Sequence, residues 1–234
     1  MHFEHTPAVW AAFPSLVPGV LLVEGIQPEV DISTRLPPLF ARARERLVGM
    51  TESDLPEIQA WRRAFSQMGL KPTQYRSAAE ALLRRFRKED SLPTPHPLVD
   101  LCNAVSLAYA LPVAVIDLDR VEGSIQVRHA DGDETYYAFS GEVEHPEPGE
   151  VIFADGARQV HARRWTFRQS KHSTVSDTTR RALVVSEGLH ASAATDVAAL
   201  LDTLEAELPR AGFTPSRRAI LMAEAPRWEG DSRQ

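Results

Sequence analysis

A single cysteine, Cys102, stands in a chain of 234 residues, so no intramolecular disulfide can form. No CxxC pair and no compact Cys/His spacing offers a zinc site, and neither metal nor cofactor is expected. No run approaches the ~20 consecutive apolar residues of a membrane-spanning helix. The opening Met1-His2-Phe3-Glu4-His5 lacks the basic and apolar regions of a secretion signal, so a cytoplasmic location without a membrane partner is the expectation. Also missing are a GxSxG elbow, a Walker loop, a GxGxxG turn and an HExxH pair. Together these absences exclude the commonest serine hydrolases, P-loop enzymes, dinucleotide enzymes and zinc proteases. No internal repeat, low-complexity tract or long linker divides the chain, and one domain over 1–234 is expected.

What remains is ordinary globular material, with 43% hydrophobic and 25% charged residues. A chain of this length buries roughly 70% of its unfolded surface and needs no covalent staple. The formal charge is −6, yet Arg158 to Arg181 holds seven cations (residues 158, 163, 164, 168, 171, 180 and 181) against one acid, Asp177. Such a segment is either a phosphate-contact surface or a solvated face.

Periodicity orders the elements. Val20 to Val23 is a short apolar run between glycines and reads as a buried strand. Pro37-Pro38 can start a helix that runs to about Gly49. Ser53 can cap a second, with Ile58, Trp61, Phe65 and Met68 inward and Gly69 at its end. Ser77-Ala78-Ala79-Glu80 reads as a capping box before a helix that buries Ala79, Leu82, Leu83 and Phe86. From Pro97, the residues Leu98, Leu101, Cys102, Val105 and Ala108 form an apolar stripe, while Asp100, Asn103 and Ser106 form a narrow polar one. Cys102 on that stripe reads as a buried, inert thiol. Strands are then expected at Val113 to Ile116, at Ile125 to His129 with Glu134 to Phe139 as a hairpin about Asp131-Gly132, and at Val151 to Phe153 with Gln159 to Phe167 about Asp155-Gly156. Ala182 to Ser186 is a further strand and Ala193 to Leu208 a closing helix; the tail from Arg217 to Gln234 is mixed. Grouped strands with hairpin turns favour α+β with a mixed or antiparallel sheet and flanking helices.

The run Pro97-Leu98-Val99-Asp100-Leu101-Cys102-Asn103, then Leu111-Pro112, Ile116-Asp117-Leu118-Asp119 and Gly123-Ser124-Ile125-Gln126-Val127-Arg128, resembles the tRNA-editing domain of the bacterial phenylalanyl-tRNA synthetase beta subunit. Tyr75-Arg76-Ser77, the segment His161 to Gln169, and Glu187-Gly188 behind an apolar strand resemble its free-standing relatives, the B3/B4-type domain proteins. The likeness covers Tyr75 to Gly212 best. It implies the synthetase editing fold and hydrolysis of the ester between a wrong amino acid and tRNA, with the aminoacylated 3′ end of tRNA as partner. Binding pockets separate similar side chains by only about 10–200-fold per methylene, which is why a hydrolytic second sieve is needed. Two departures stand out. Ala114 occupies the place of the synthetase's histidine, and Arg163-Arg164-Trp165 replaces its glycine-rich loop.

Aminoacyl esters are activated, so a site must place water, donate to the developing oxyanion and hold the terminal adenosine. On that reading the catalytic candidates are Asn103, Arg164, Gln169 and His172. The substrate-binding candidates are Asp100, Asp117, Glu122, Arg163, Trp165, Arg168 and Lys171. Read as strand residues, Arg163 and Arg164 point to opposite faces, so at most one reaches a pocket. Trp165 stacks on adenine or fills the core. His172 is a general base or an exposed loop residue, and Lys171 lies with it in a polar loop. Asn103 orients water or satisfies backbone. Asp100 and Asp117 receive an ammonium or hold turns, Glu122 flanks a turn glycine, and His161 reads as solvent-facing. A pocket walled by the Asn103 helix and the Trp165 strand is expected. The missing histidine at Ala114 keeps open a non-catalytic module that binds tRNA or an amino acid. A test of the helix reading is Ser77→Ala, expected to cost about 1 kcal/mol in denaturant unfolding; no change in midpoint contradicts the cap.

Overall fold

The structure, a computed structural model, describes residues 1–230. The chain opens with β1 (His2–His5), α1 (Pro7–Ala12) and β2 (Val17–Glu24), followed by α2 (Leu36–Arg46), α3 (Pro56–Gln67), α4 (Ala78–Glu89) and α5 (Pro97–Tyr109). A block of strands follows: β3 (Val113–Asp117), β4 (Ile125–His129), β5 (Tyr136–Tyr137), β6 (Val143–Glu144), β7 (Val151–Ala154), β8 (Val160–Arg163), β9 (Arg168–Gln169) and β10 (Arg181–Gly188). The last elements are α6 (Ala193–Arg210), β11 (Thr214–Ile220) and β12 (Arg227–Glu229).

Proline and short polar side chains set the helix starts. Pro56 and Pro97 sit in the first turns of α3 and α5, where a missing N–H costs nothing. Ser77 caps α4 by accepting from the Glu80 N–H at 3.3 Å. Only half of the expected capping box forms, because the Glu80 carboxylate turns to Arg62 instead, at 2.7 Å. Ser53 caps nothing on α3. It lies in a short 3-10 turn, Glu52–Asp54, whose own capping box pairs Thr51 with Asp54.

Two sheets carry the fold, which is α+β. One is mixed and six-stranded, in the order β12-β1-β4-β7-β8-β9, with β1 and β4 parallel. The other is antiparallel, β11-β2-β10-β3. Strand alternation divides β2 between two cores. Val20 and Leu22 join Ile116, Leu183 and Val185 against Phe3, Val127, Phe153 and Trp228 of the six-stranded sheet. Leu21 and Val23 face the other way, with Val115 and Val184, onto α5 and α6. A third cluster joins α2, α3, α4 and α5 through Leu55, Ile58, Leu83 and Phe86.

Several expectations are corrected here. Ile125 to His129 and Glu134 to Phe139 form no hairpin with each other. β4 pairs with β1 and β7, and Tyr136–Tyr137 pairs with Val143–Glu144. The Glu134 carboxylate is the cause, since it accepts from the Asp131 and Gly132 N–H groups at 3.0 and 2.9 Å and uses up the donors of the turn. The hairpin about Asp155-Gly156 does form, from β7 and β8. Its second arm, expected through Phe167, breaks after Arg163, because Arg164 and Trp165 adopt φ of 46° and 58°. The mixed tail contains β11 and β12, and its last four residues lie outside those described.

Gly19 shows how closely α6 lies on β2: an added Cβ would stand 2.6 Å from Val197 Cγ1 and 2.9 Å from Leu201 Cδ1. Gly19→Ala is therefore expected to destabilise by about 1–3 kcal/mol in chemical denaturation. An unchanged midpoint contradicts this packing.

Candidate functional site

Between the sheets lies a cleft whose apolar walls are two cross-strand pairs. Ala114 of β3 faces Val185 of β10 in register, and Phe153 of β7 faces Ala162 of β8. Glu187 follows Val185 two residues on, hence on the same face, and puts a carboxylate among these walls. Glu187 is buried, and a buried carboxylate needs partners. Trp165 Nε1–H is 3.0 Å from both of its oxygens, and His5 Nε2 lies 2.5 Å from Oε1. The Trp165 ring is itself fixed edge-on against Trp61 at 5.0 Å and Phe13 at 4.7 Å.

The segment Trp165 to Gln169 forms the rest of the lining, with Ala78 at the start of α4 and Pro112-Val113 before and within β3. Two successive left-handed residues without glycine are costly, at about 1–3 kcal/mol each. Backbone hydrogen bonds hold them: Arg164 N donates to Glu150 Oε1 at 2.8 Å, Trp165 N to the Val151 carbonyl at 2.7 Å, and Ala78 N to the Thr166 carbonyl at 2.7 Å. Gln169 Nε2 donates to the Val115 carbonyl at 2.6 Å, which ties this segment to β3. Thr166 Oγ1 is buried without a hydrogen-bond partner. The Arg168 guanidinium stacks on Phe167 at 5.0 Å and has no acidic partner among the described residues.

Seven of the eleven expected site residues line three separate hollows, and Arg163, Arg164, Asp117 and Lys171 lie outside these three. Trp165, Arg168 and Gln169 meet in this cleft together with Ala114. Arg164 is in the left-handed turn rather than a strand, and its guanidinium lies over Tyr75 at 4.7 Å. Arg163 is buried between Glu144 and Glu150 and serves as an internal ion pair. Asp117 holds turns together, accepting from Asp119 N at 3.0 Å and Thr179 Oγ1 at 2.7 Å. Lys171 is exposed at the start of a 3-10 turn, Lys171–Ser173. His172, the second residue of that turn, lines a separate polar cleft with Glu122, Arg120, Tyr137 and Asp155. Its ring stacks on Tyr137 at 5.7 Å, and burial together with nearby His161 lowers its pKa, favouring the neutral imidazole. Asp100 and Asn103 line a third hollow with Leu36, Phe40 and residues 90–94, and no residue of the Trp165 segment reaches it. The pocket expected between the Asn103 helix and the Trp165 strand is thus replaced by two separate hollows.

Three groups stand differently in the structure than the sequence alone suggests. His161, read as solvent-facing, is fully buried at a β-bulge, with Nε2 3.3 Å from Asp155 Oδ2. Glu187 was visible as an acid ending an apolar strand, but nothing in the sequence paired it with His5. The seven-cation segment is partly neutralised, with Arg158, Arg163 and Arg181 in ion pairs. Cys102 is inert as expected, with its thiol pushed up to about 12 by burial. Glu57, His190 and Asp196 bring donor atoms within 4.8 Å of one another. Arg46 already pairs with Glu57 at 2.6 Å, which ties α2 to α3, and His190 Nε2 is 2.8 Å from Asp196 Oδ2 at the start of α6, so both carboxylates are engaged. No described helix is long and apolar enough to cross a membrane.

These features define an α+β domain with a mixed, partly apolar cleft between two sheets, and the chain belongs to the B3/4 domain family, whose model matches residues 60–203, well over half of its length. Among solved structures it is similar to an N-terminal fragment of the phenylalanyl-tRNA synthetase beta-subunit from Pyrococcus horikoshii, with a TM-score of 0.50 and 11% identity. That likeness covers 91% of this chain and 49% of the other, so the chain spans about half of the fragment's length. At this identity the match speaks for the fold alone. No curated protein matches the sequence.

Asp100 supplies a pH test. Burial pushes its carboxyl up to about 6, against an ordinary value near 3.9. The folded form therefore holds this proton more tightly, so the stabilisation is full below about pH 4 and is lost as pH rises through about 6. Asp100→Asn is expected to melt roughly 2–4 °C above the native chain at pH 8 and no higher at pH 4, a modest figure because the carboxyl keeps solvent contact. Equal differences at both pH values contradict it.

Proposed function

We propose that the chain hydrolyses the ester of mischarged aminoacyl-tRNA, acting in the cytoplasm as one domain, with a positioned water as nucleophile. One observation carries the reading. The two places where the sequence departs from the synthetase pattern, Ala114 and the segment at Trp165, line the same cleft. Departures scattered over the surface would carry no functional meaning; departures that meet in one cleft reshape a ligand site. Family membership and the fold support the same reading.

The chemistry asked of the cleft is modest. The Glu187 carboxylate, held by Trp165 and His5, is a fixed negative charge for the ammonium of the aminoacyl group. The free Arg168 cation sits at the cleft to meet the oxyanion or the terminal phosphate. Water adds to the ester carbonyl, the bond to the ribose oxygen breaks, and that oxygen leaves as the tRNA hydroxyl, having taken up the proton. The vicinal ribose hydroxyl can relay this proton, so no protein nucleophile is needed. Ala114 also favours a second reading, a module that binds tRNA or an amino acid without turnover, because a methyl group stands where the synthetase pattern has an imidazole.

The test is a panel of mischarged tRNAs incubated with purified protein. At least one ester is expected to be cleaved well above the buffer rate, with a loss of about tenfold or more in Arg168→Ala. No turnover above buffer contradicts the proposal, and tight, salt-sensitive tRNA binding without turnover supports the second reading.

A further inference from the structure

The size of the cleft restricts its substrate. About 60 Å³ is open to water between the two sheets. A water needs roughly 10–15 Å³ of such space, and a dry cavity of about 150 Å³ is what holds a benzene ring. The space between the sheets therefore holds some four to six water-sized groups, one of which is the attacking water, before the cleft opens to solvent at its mouth, and a six-membered ring does not fit wholly inside it. From this we infer that the site takes a small aminoacyl group, from glycyl to threonyl in size, and rejects phenylalanyl and tyrosyl esters. The inference rests on the deacylase reading for its chemistry, but its test does not require turnover.

The walls are not free to open. Trp165 is fully buried and locked between Trp61, Phe13 and the Glu187 carboxylate. Phe153 packs against Phe3 at 5.7 Å and is nearly as buried. Val185 and Ala114 are registered neighbours on paired strands, so neither shifts without moving the sheet. A close-packed wall of this kind does not yield to a larger ligand at little cost. The polar end of the cleft also suits a short side chain. Glu187 can be reached by an ammonium or by a seryl or threonyl hydroxyl.

The experiment uses non-hydrolysable adenosine derivatives carrying alanine, serine, phenylalanine or tyrosine through an amide at the 3′ position, titrated into the whole chain by calorimetry. Alanyl and seryl derivatives are expected to bind at least a hundredfold more tightly than the aromatic ones, since each misfitting methylene already accounts for about 10–200-fold. Ala114→Val, which fills the cleft from a half-buried strand position, is expected to weaken the alanyl derivative at least tenfold. Should that variant not fold, the ligand series on the native chain decides alone. Phenylalanyl binding within tenfold of alanyl overturns the inference while leaving the deacylase reading intact, and binding by none of the four overturns it as well. Small-ligand preference with no ester turnover upholds the inference and removes the deacylase reading.

Discussion

A carboxylate inside an apolar layer is costly unless its charge is met, and Glu187 is such a group. Three distant parts of the chain converge to meet it. β10 supplies the acid, the left-handed turn supplies the Trp165 indole N–H, and β1 supplies the His5 imidazole. Removing either partner would leave a buried charge under-satisfied, which is far more disruptive than losing a surface contact. The position of Trp165 follows from this, and with it the walls and dimensions of the cleft. His5 lies outside the matched segment 60–203, so the N-terminal strand completes a site that the family segment alone does not contain.

The same constraint bears on the backbone of the segment that carries Trp165. A glycine-rich loop readily adopts left-handed backbone, and Arg164 and Trp165 adopt it here without glycine. Their backbone N–H groups are anchored on Glu150 and the Val151 carbonyl, which offsets the strain. The side chains of this segment then shape the cleft by bulk, with Trp165 as a wall and Phe167 and Arg168 at the lining. Ala114 acts in the opposite sense on the facing strand, where a methyl group leaves room.

The elements most legible in the sequence were those with a strong local signal: the apolar stripe and Pro97 start of α5, the Ser77 cap, the buried strands around Val20 and Leu183, and the Asp155-Gly156 hairpin. The elements that escaped are specified by distant partners. β1 is four residues long and gains its identity from β4 and β12, more than a hundred residues away. The Asp131-Gly132 turn carried a true local signal that a nearby carboxylate overrode. Of the expected site residues, Trp165, Arg168 and Gln169 line one cleft. Charge counting was the poorer guide, because linear density along residues 158–181 does not reveal that Arg163 is buried between two acids. Asn103 and Asp100 were misplaced because periodicity gives the face of a helix but not the neighbour that face meets.

The central claim is a place: the ligand enters between the Ala114–Val185 and Phe153–Ala162 pairs, above Glu187. Nitrogen-15 NMR of the whole chain during addition of an amide-linked alanyl-adenosine tests it directly. The account requires the Trp165 indole N–H and the Val185 amide to shift with a common saturation curve while the Asn103 amide stays unmoved. Shifts concentrated at Asn103 or around His172, with the Trp165 indole silent, would contradict it.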